Sequence, residues 1–458
     1  MTTSTRTEVS GDLLDIARGV AAGAGKGEQV EAYVVRSRET EVEVFGGEVE
    51  SLTTAVVEGI GVRVVVDHRQ GYAWAGSFEP SVVEETLREA RDNAAFGEPD
   101  EWYALASPAD ANGVVAPTLD VWREELRAVP TDDKVRIALE LERATKALDS
   151  RIRNVESAGY GDALTEAAIA NSLGVEAEQR RTTCSASSVA IADDGTGAQT
   201  GYGFVAGRTL ADLDLESVPR DAVTRACRLL GAKPIPGRRI PVILDPLVTR
   251  SVLGVLSSAF NGESVLKGRS LFAGREGETI AAARVSVLDD PTDPRALGAA
   301  THDSEGVPTR PIALIANGVL QGFLQNVYTG RRSGVGTTGS ASRGYTSTPG
   351  VGVRALRFEP GDLSPEEIMA SVPEALYVQS VSGLHSGTNP ISGDFSVGAE
   401  GLMVRGGAFA EPVREVTIAS TLQRMLLDIA DIGSDLTFLP GAVAGMTVLL
   451  SDMTVSGS

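Results

Sequence analysis

The stretch Gly231-Ala232-Lys233-Pro234-Ile235-Pro236-Gly237-Arg238-Arg239 divides the chain near its middle. Two prolines and two glycines accompany a short basic patch there, and this composition is typical of a connection between domains because it suits neither a helix interior nor a strand interior. The stretch therefore predicts an N-terminal domain over residues 1–232 and a C-terminal domain over residues 238–458.

Beyond this boundary, the apolar pattern predicts first a buried strand and then a helix. Residues 241–244 form a short apolar run, and Pro246 suits the first position of a helix that continues through Val248, Val252 and Val255. From residue 280 onward, alternating and apolar segments, among them residues 320–328, predict mainly strands. A large, curved, barrel-like β-rich domain with few helices is therefore expected.

Before the boundary, the pattern predicts two units, about 1–97 and 118–232, in which helices flank antiparallel sheets. The first unit has a helix, alternating strands with turns at Gly46-Gly47 and residues 67–70, and a capping box at residues 81–84 that opens a second helix. The second unit has two helices and four short strands, predicted near residues 132–148, 152–157, 166–172, 179–188, 200–205 and 219–230. The fold class is therefore α+β.

The composition of the 458-residue chain excludes several classes of protein. Acidic residues number 62 and basic residues 41, for a net charge of -21, so direct nucleic-acid binding is not expected. No segment approaches the roughly 18 apolar residues of a membrane span, and Met1–Arg6 opens no apolar signal region. Cys184 and Cys227 form no disulfide or metal-binding pattern. A cytoplasmic protein without membrane contact is expected.

Only three histidines are available for acid–base or metal chemistry. His68 lies at a predicted hairpin tip, where an exposed turn residue is expected. His302 stands beside Asp303 and Glu305 in one loop, and such a set can hold an oxygen-preferring cation or act as a general acid–base cluster. In the alternative interpretation, the two carboxylates only fix the loop by accepting hydrogen bonds from backbone N–H groups.

The third histidine, His385, lies in a glycine-rich loop at residues 383–390, and loops of this kind are over-represented in binding sites. The adjacent Ser386 is not expected to be a nucleophile, because the Gly-x-Ser-x-Gly pattern would need serine at position 385. We therefore predict that this loop, including Asn389, contacts a substrate.

Residues 329–350 carry Arg331, Arg332 and Arg343 among glycine, serine and threonine. A mobile lid, an interface arm and a flexible surface loop are all compatible with this composition.

Several strings, taken in order, resemble the PmbA/TldE branch of the TldD/PmbA family. The resemblance extends over nearly the whole chain, and the succession of the strings is more specific than any single one. The strings are Gly61–Val64, Gly71–Trp74, Lys267–Ser270, Asp289–Pro291, Asp303–Thr309, Asn389–Ser396 and Met453–Ser458.

The resemblance implies a subunit of a cytosolic zinc-dependent peptidase, a heterodimer of TldD-type and TldE-type chains that degrades or processes small, unstructured peptides. The family also carries an older label, modulator of DNA gyrase. In the TldD branch, a helix bearing His-Glu-x-x-x-His and a later cysteine hold the zinc. Here residues 253–258 read Leu-Gly-Val-Leu-Ser-Ser, and residues 439–445 contain no cysteine.

This departure implies that the chain itself has no catalytic residue and no metal site, and that zinc is expected in a TldD-type partner. Glu263 is the nearest carboxylate on the helical segment, and alone it would bind zinc poorly. The chain is then a non-catalytic subunit whose loops around His302 and His385 contact a peptide cavity or the partner. Strand addition is one way in which the β-rich half would capture small peptides.

Two alternatives belong to other classes of function. In one, the chain is an autonomous hydrolase that uses His302, Asp303, Glu305 and His385 with a divalent ion or an unaided carboxylate. In the other, it is a binding module that acts on gyrase or on a toxin peptide without proteolysis.

Overall fold

The computed structural model describes residues 13–457. The prediction about the first six residues lies outside this range. The helices and strands of the N-terminal half are α1 (Leu13–Ala21), β1 (Gln29–Phe45), β2 (Glu48–Val66), β3 (Arg69–Ala75), α2 (Pro80–Phe96), α3 (Thr131–Ala147), β4 (Ile152–Asn171), β5 (Glu176–Ala192), β6 (Gln199–Gly207) and α4 (Ser217–Cys227).

The strands of this half form one antiparallel sheet in the order β3-β2-β1-β4-β5-β6. The prediction of two separate sheets is wrong, because β1 pairs with β2 on one side and with β4 on the other, where Tyr33 lies opposite Ile169. Two predicted strands also merge into the single strand β4. Gly159 lies between the two predicted strands, and a Cβ atom there would lie 2.9 Å from the backbone oxygen of Val42 in β1. Glycine at this position therefore lets β4 continue beside β1 without a clash.

The two faces of the sheet have different partners, as the period-two alternation of a strand requires. Even-numbered residues of β1, such as Val30, Ala32 and Val42, are buried with residues of the four helices. Odd-numbered residues such as Glu31 and Glu39 lie on the opposite face. The first part of that face meets the C-terminal half, where Glu31 forms an ion pair with Arg343.

The C-terminal half begins at Arg238. Its helices and strands are β7 (Arg238–Leu244), α5 (Pro246–Leu256), α6 (Gly262–Leu266), β8 (Val287–Asp289), β9 (Ile312–Ala316), β10 (Val319–Leu320), α7 (Val327–Ser333), β11 (Ala341–Ser342), β12 (Gly350–Val351), β13 (Leu356–Phe358), α8 (Pro365–Ala370), β14 (Glu374–Ser382), α9 (Leu384–Gly387), β15 (Asp394–Arg405), β16 (Ala408–Thr421), α10 (Leu422–Asp428), β17 (Ile429–Ile432) and β18 (Val448–Ser456).

A closed β-barrel forms the centre of this half, which confirms the predicted barrel-like fold. Strands β16, β15, β14, β7 and β18 are consecutive neighbours, and pairing between Ile418 and Val455 joins β16 to β18 and closes the ring. Only β14 and β7 run parallel within it. Val242, Met403, Ile418 and Val455 are fully buried and belong to the main hydrophobic core.

Two local predictions are wrong for reasons of helix capping. Residues 320–328 do not form one strand: helix α7 starts at Val327 because the Asn326 side chain accepts a hydrogen bond from the backbone N–H of Thr329 at 2.8 Å. Helix α2 starts at Pro80, one residue before the predicted capping box, and no side chain caps it. Proline suits this first position since its missing N–H would have no helical partner.

Residues 329–350 are anchored to the N-terminal half at two positions. Arg331 forms an ion pair with Asp110 at 2.9 Å, and the Arg343 side chain is fully buried against Glu31 at 2.7 Å. The segment therefore joins the two halves of the chain. None of the helices in residues 13–457 combines the length and the hydropathy needed to cross a bilayer.

Candidate functional site: the cleft between the sheet and the C-terminal half

A cleft separates the open part of the sheet from the C-terminal half. It consists of two adjoining cavities of about 600 Å³ and about 650 Å³, and both are lined by Thr165 of β4 and Arg181 of β5. These two residues face each other directly across neighbouring strands. On the other side of the cleft, Thr301, Ser342 and Arg354 line the cavities.

The floor of the larger cavity is built from small and polar residues of the sheet. Gly161, Ala163, Thr183 and Ser185 line it, and these odd-numbered positions follow the period-two alternation of β4 and β5. Short side chains leave the sheet surface open to an occupant, because longer ones would fill the space above the strands. The arrangement can therefore accommodate a chain in extended conformation.

Arginine side chains concentrate at the junction of the two cavities. Arg208 donates to the backbone oxygens of Thr182 at 3.0 Å and Leu297 at 3.4 Å. Burial, together with nearby Arg181 and Arg123, lowers the pKa of Arg208 to about 10. Burial also lowers the pKa of Arg181, and Arg354 adds to this effect. Like charges are thus held close together in a chain whose net charge is -21.

A buried ionic network joins the two halves of the chain. Arg63 donates to Glu31 at 2.9 Å and to Glu305 at 3.0 Å, and Arg343 donates to Glu31 at 2.7 Å. Burial acts to raise the pKa of Glu31, but Arg343 and Arg63 outweigh it and lower that pKa. The network therefore contains two carboxylates and two guanidinium groups, which compensate one another.

Asp303 and Glu305, two of the predicted site residues, are used inside the protein. Asp303 accepts hydrogen bonds from the backbone N–H groups of Glu305, Val307 and Ala341 at 2.9–3.0 Å, and burial raises its pKa. The second carboxylate oxygen of Glu305 accepts from the backbone N–H of Val327 at 2.8 Å. Both residues are at most 1% exposed. These contacts match the alternative in which the carboxylates fix the loop.

His302 lies in the same loop but is only half-buried. Its Nδ1 atom is 3.0 Å from the hydroxyl oxygen of Thr301, a residue that lines the smaller cavity. Burial lowers the pKa of His302, so the neutral imidazole is favoured. Its role in a peptide cavity or interface stays a prediction.

The other predicted loop lies at the end of barrel strand β14, and His385 and Ser386 are exposed there. The Ser386 hydroxyl donates to the backbone oxygen of Gly383 at 3.2 Å. Asn389 is also exposed, and its side-chain oxygen accepts hydrogen bonds from the backbone N–H groups of Ile391 and Ser392. Neither cavity of the cleft is lined by these residues. A partner or substrate contact at this loop stays a prediction.

The side chains of helix α5 and of the 3₁₀ turn Ser257–Phe260 that follows it do not fit a zinc ion. Leu253 is fully buried in the apolar core, and a Cβ atom at Gly254 would meet nothing within 4 Å. The hydroxyls of Ser257 and Ser258 donate to backbone oxygens one turn earlier. Zinc prefers imidazole, thiolate and carboxylate ligands. This segment instead presents apolar side chains and hydroxyl groups that are already hydrogen-bonded, so it cannot hold the ion.

Other possible ligands are dispersed across the part of the chain that the structure describes. Glu263 forms an ion pair with Lys267 on the surface. Cys184 is buried within the N-terminal sheet, where burial raises the pKa of its thiol to about 12, and Cys227 ends helix α4. Over residues 13–457, no three His, Cys, Asp or Glu side chains are grouped so that they could hold a metal ion.

Arg181 and Arg354 line the cleft but were not among the sequence-predicted site residues. The alternation of β5 places Arg181 on the same face as Thr183 and Ser185, and this was the available sequence signal. This alternation does not identify a binding site, because the domain that packs against a sheet determines which of its faces remains open.

Comparison with known proteins gives a consistent succession of matches along the chain. Three models of one metallopeptidase family match it in order: PmbA/TldA domain 1 over residues 30–94, the central domain over residues 124–230 and the C-terminal domain over residues 236–457. These three stretches include the sheet, the cleft and the barrel.

Individual relatives cover nearly the full length. Metalloprotease PmbA of Escherichia coli O157:H7 is 28% identical over 435 residues, which are 95% of this chain and 93% of that protein. A solved structure from Thermotoga maritima, whose name connects it to modulation of a DNA gyrase, has a TM-score of 0.89 at 26% identity and covers 96% of this chain and 99% of its own.

The fold is also that of the solved TldE of Thermococcus kodakarensis, with a TM-score of 0.87 at 24% identity over 97% of this chain and 99% of that chain. The shared fold, the order of the family domains and the length of the matches agree with one another. The chain belongs to the PmbA/TldD metallopeptidase family.

Proposed function

We propose that this chain is a TldE-like, non-catalytic subunit of a heterodimeric metallopeptidase that degrades or processes small, unstructured peptides. The zinc ion and the bond-breaking chemistry then belong to a TldD-type partner. The observation that carries this proposal is the chemistry of helix α5 and of the turn that follows it, where Leu253, Gly254 and Ser258 stand at about the positions of the His-Glu-x-x-x-His residues.

The packing of α5 supports the proposal. Because Leu253 is part of the hydrophobic core, an imidazole at this position would replace apolar contacts that hold the helix against the barrel. The hydroxyls of Ser257 and Ser258 already satisfy backbone oxygens. The helix is thus stabilised by packing and by hydrogen bonds of its own, as expected of a structural element.

The cleft supports a role in binding peptides. Its two cavities, of about 600 Å³ and 650 Å³, are of the size usual for sites that take small ligands. The floor carries short polar side chains beside strand backbone, so an extended segment is accommodated with little demand for a specific sequence. A folded protein domain is too large for this space, which accounts for the restriction to small peptides.

A cytoplasmic location is part of the same proposal. Cys184 and Cys227 are both free thiols in the structure, as expected in a reducing compartment. The acidic surface, with a net charge of -21, favours a peptide substrate over a nucleic acid.

The test is to purify the chain alone and together with a TldD-type subunit from the same organism. We expect the isolated chain to hold far less than one zinc ion per molecule by elemental analysis and to leave short peptides intact. The copurified complex is expected to have equal amounts of the two chains, one zinc per pair and peptidase activity. Zinc removal by a chelator should abolish the activity of the complex without separating this chain from peptide.

A different result would favour an autonomous hydrolase. If the isolated chain holds stoichiometric zinc and cleaves peptides, and if His302→Ala removes both properties, the proposed role is wrong. His68→Ala is the matched control, because His68 lies at the β2–β3 turn, away from the loop that contains His302.

A further inference from the structure

Arg181 is a half-buried cation in the middle of strand β5. Among residues 13–457, no carboxylate or carbonyl oxygen accepts a hydrogen bond from its guanidinium group. The neighbouring arginines differ from it: Arg208 donates to backbone oxygens, and Arg354 donates through one nitrogen to the backbone oxygen of Ala341 at 2.8 Å, while among residues 13–457 its Nε has no acceptor. Since an uncompensated charge is costly when it is removed from water, Arg181 is the group that an added anion would stabilise most.

The position of Arg181 makes it accessible to a ligand in the cleft. It lines both cavities and marks the point at which they meet. Arg354 lies near enough to act on the charge of Arg181 and lines the larger cavity as well. Two planar guanidinium groups beside one cavity are well suited to a carboxylate, which they can bind through paired hydrogen bonds.

Charged side chains are unevenly distributed along the larger cavity. Glu39 and Glu41 line the part of the larger cavity that lies farther along β1. Arg181 lies opposite Thr165 of β4, whereas Glu39 and Glu41 pair with Ala163 and Gly161, farther along the same strand. The two glutamates repel a carboxylate, whereas Arg181 and Arg354 attract one. Within the larger cavity, a carboxylate is therefore favoured at the Arg181 end. The smaller cavity is lined by residues of both signs: Asp120, Glu166, Glu178, Arg36 and Arg180.

We propose that Arg181, assisted by Arg354, binds a carboxylate of the peptide and so determines which end or side chain of the peptide lies at the junction of the two cavities. This rests on the proposed function, in that peptides enter the cleft, and it adds the substrate class: short peptides with a free C-terminal carboxylate or an acidic side chain. Both sources present the same group to the guanidinium.

The test is isothermal titration calorimetry of the full chain with three N-acetylated tetrapeptides. They are tetraalanine with a free carboxylate, its C-terminal amide, and the amide in which one alanine is replaced by aspartate. The free acid is expected to bind at least about tenfold more tightly than the plain amide if the C-terminus is recognised. Tight binding of the aspartate-containing amide assigns the site to an acidic side chain.

Variants locate the site. Arg181→Ala should weaken binding of the preferred peptide by at least about tenfold, and Arg181→Lys should give an intermediate loss because it keeps the charge without the paired donors. Arg143→Ala makes the same change of charge on the exposed surface of α3, beyond the opposite face of the sheet, and should leave the affinity unchanged. The melting temperature of Arg181→Ala should not fall, because the substitution removes a cation with which no carboxylate of residues 13–457 pairs.

Several outcomes would overturn the site. They are equal affinity for the acid and both amides, an unchanged affinity in Arg181→Ala, and absence of binding by the wild-type chain at millimolar peptide. The calorimetry is independent of peptidase activity. Carboxylate binding without activity in the complex would contradict the proposed function alone, whereas activity without a carboxylate preference would contradict this site alone.

Discussion

At the scale of single residues, the environment decides whether a carboxylate serves structure or chemistry. Glu305 has one oxygen bound by Arg63 and the other bound by the backbone N–H of Val327. It therefore has no free oxygen to offer a metal ion or a substrate. Arg181 is the opposite case, since its charge is of the kind that a substrate can use and nothing in residues 13–457 neutralises it.

Replacing Glu305 with alanine should be strongly destabilising. The substitution leaves the buried Arg63 with one carboxylate fewer and leaves the N–H of Val327 without its acceptor. Breaking a buried ion pair by removing one partner costs about 3–5 kcal/mol, which we expect as a loss in the free energy of unfolding measured by urea denaturation. Glu263→Ala, which removes an exposed carboxylate paired with Lys267, should change it by less than about 0.5 kcal/mol. Equal effects of the two substitutions would contradict the role of the network.

At the scale of elements, the surroundings of Gly201 in β6 and of Gly254 in α5 place different demands on these two positions. A Cβ atom at Gly201 in β6 would lie 2.1 Å from the backbone oxygen of Ala222 in α4, whereas a Cβ atom at Gly254 in α5 would meet nothing within 4 Å. Glycine is thus required at the first position by the close approach of a helix to a strand. At the second position it is only a flexible residue inside a helix.

The two glycines predict stability changes of opposite sign. Gly201→Ala should destabilise the protein by at least about 2 kcal/mol, because α4 must move away from the sheet. Gly254→Ala should stabilise it by about 0.5–1 kcal/mol, because alanine loses less conformational entropy in a helix. Thermal melting of both variants beside the wild type measures the difference. A lower melting temperature for Gly254→Ala would show that the space beside α5 is needed for another purpose.

At the scale of the whole molecule, contacts between buried groups couple the two halves of the chain. The network of Glu31, Arg63, Glu305 and Arg343 crosses between them. The Tyr345 ring stacks edge-on against Trp74 with centroids 5.9 Å apart. These contacts hold the walls of the cleft at a set separation, so the cleft is formed before any ligand enters.

We therefore expect the wild-type chain to unfold in one calorimetric transition. The double variant Glu305→Ala, Arg343→Ala should split it into two, because Glu31 and Arg63 still neutralise each other inside the N-terminal sheet while the connection to the barrel is weakened. A control double variant, Arg239→Ala with Glu263→Ala, makes the same change of net charge at exposed ion pairs and should keep a single transition. Two transitions already present in the wild type would contradict the coupling.

Local features were predictable because their causes are local. The turns at Gly46-Gly47 and Asn317-Gly318 have positive φ angles as those residues favour, and Asp245 caps α5 directly before Pro246. The absence of histidine from residues 253–258 is likewise a property of the sequence alone, and it carries the proposed function.

Only the tertiary structure decided how distant segments meet. The joining of two predicted sheets through β1 and β4 depends on pairing between residues more than a hundred positions apart, and neither strand pattern specifies its neighbour. The same holds for the site. Asp303 and Glu305 accept hydrogen bonds from backbone N–H groups, and Glu305 also from Arg63 of a remote segment. Within residues 13–457, no carboxylate pairs with Arg181. Burial and charge compensation arise from packing, and sequence spacing does not encode which charges packing brings together.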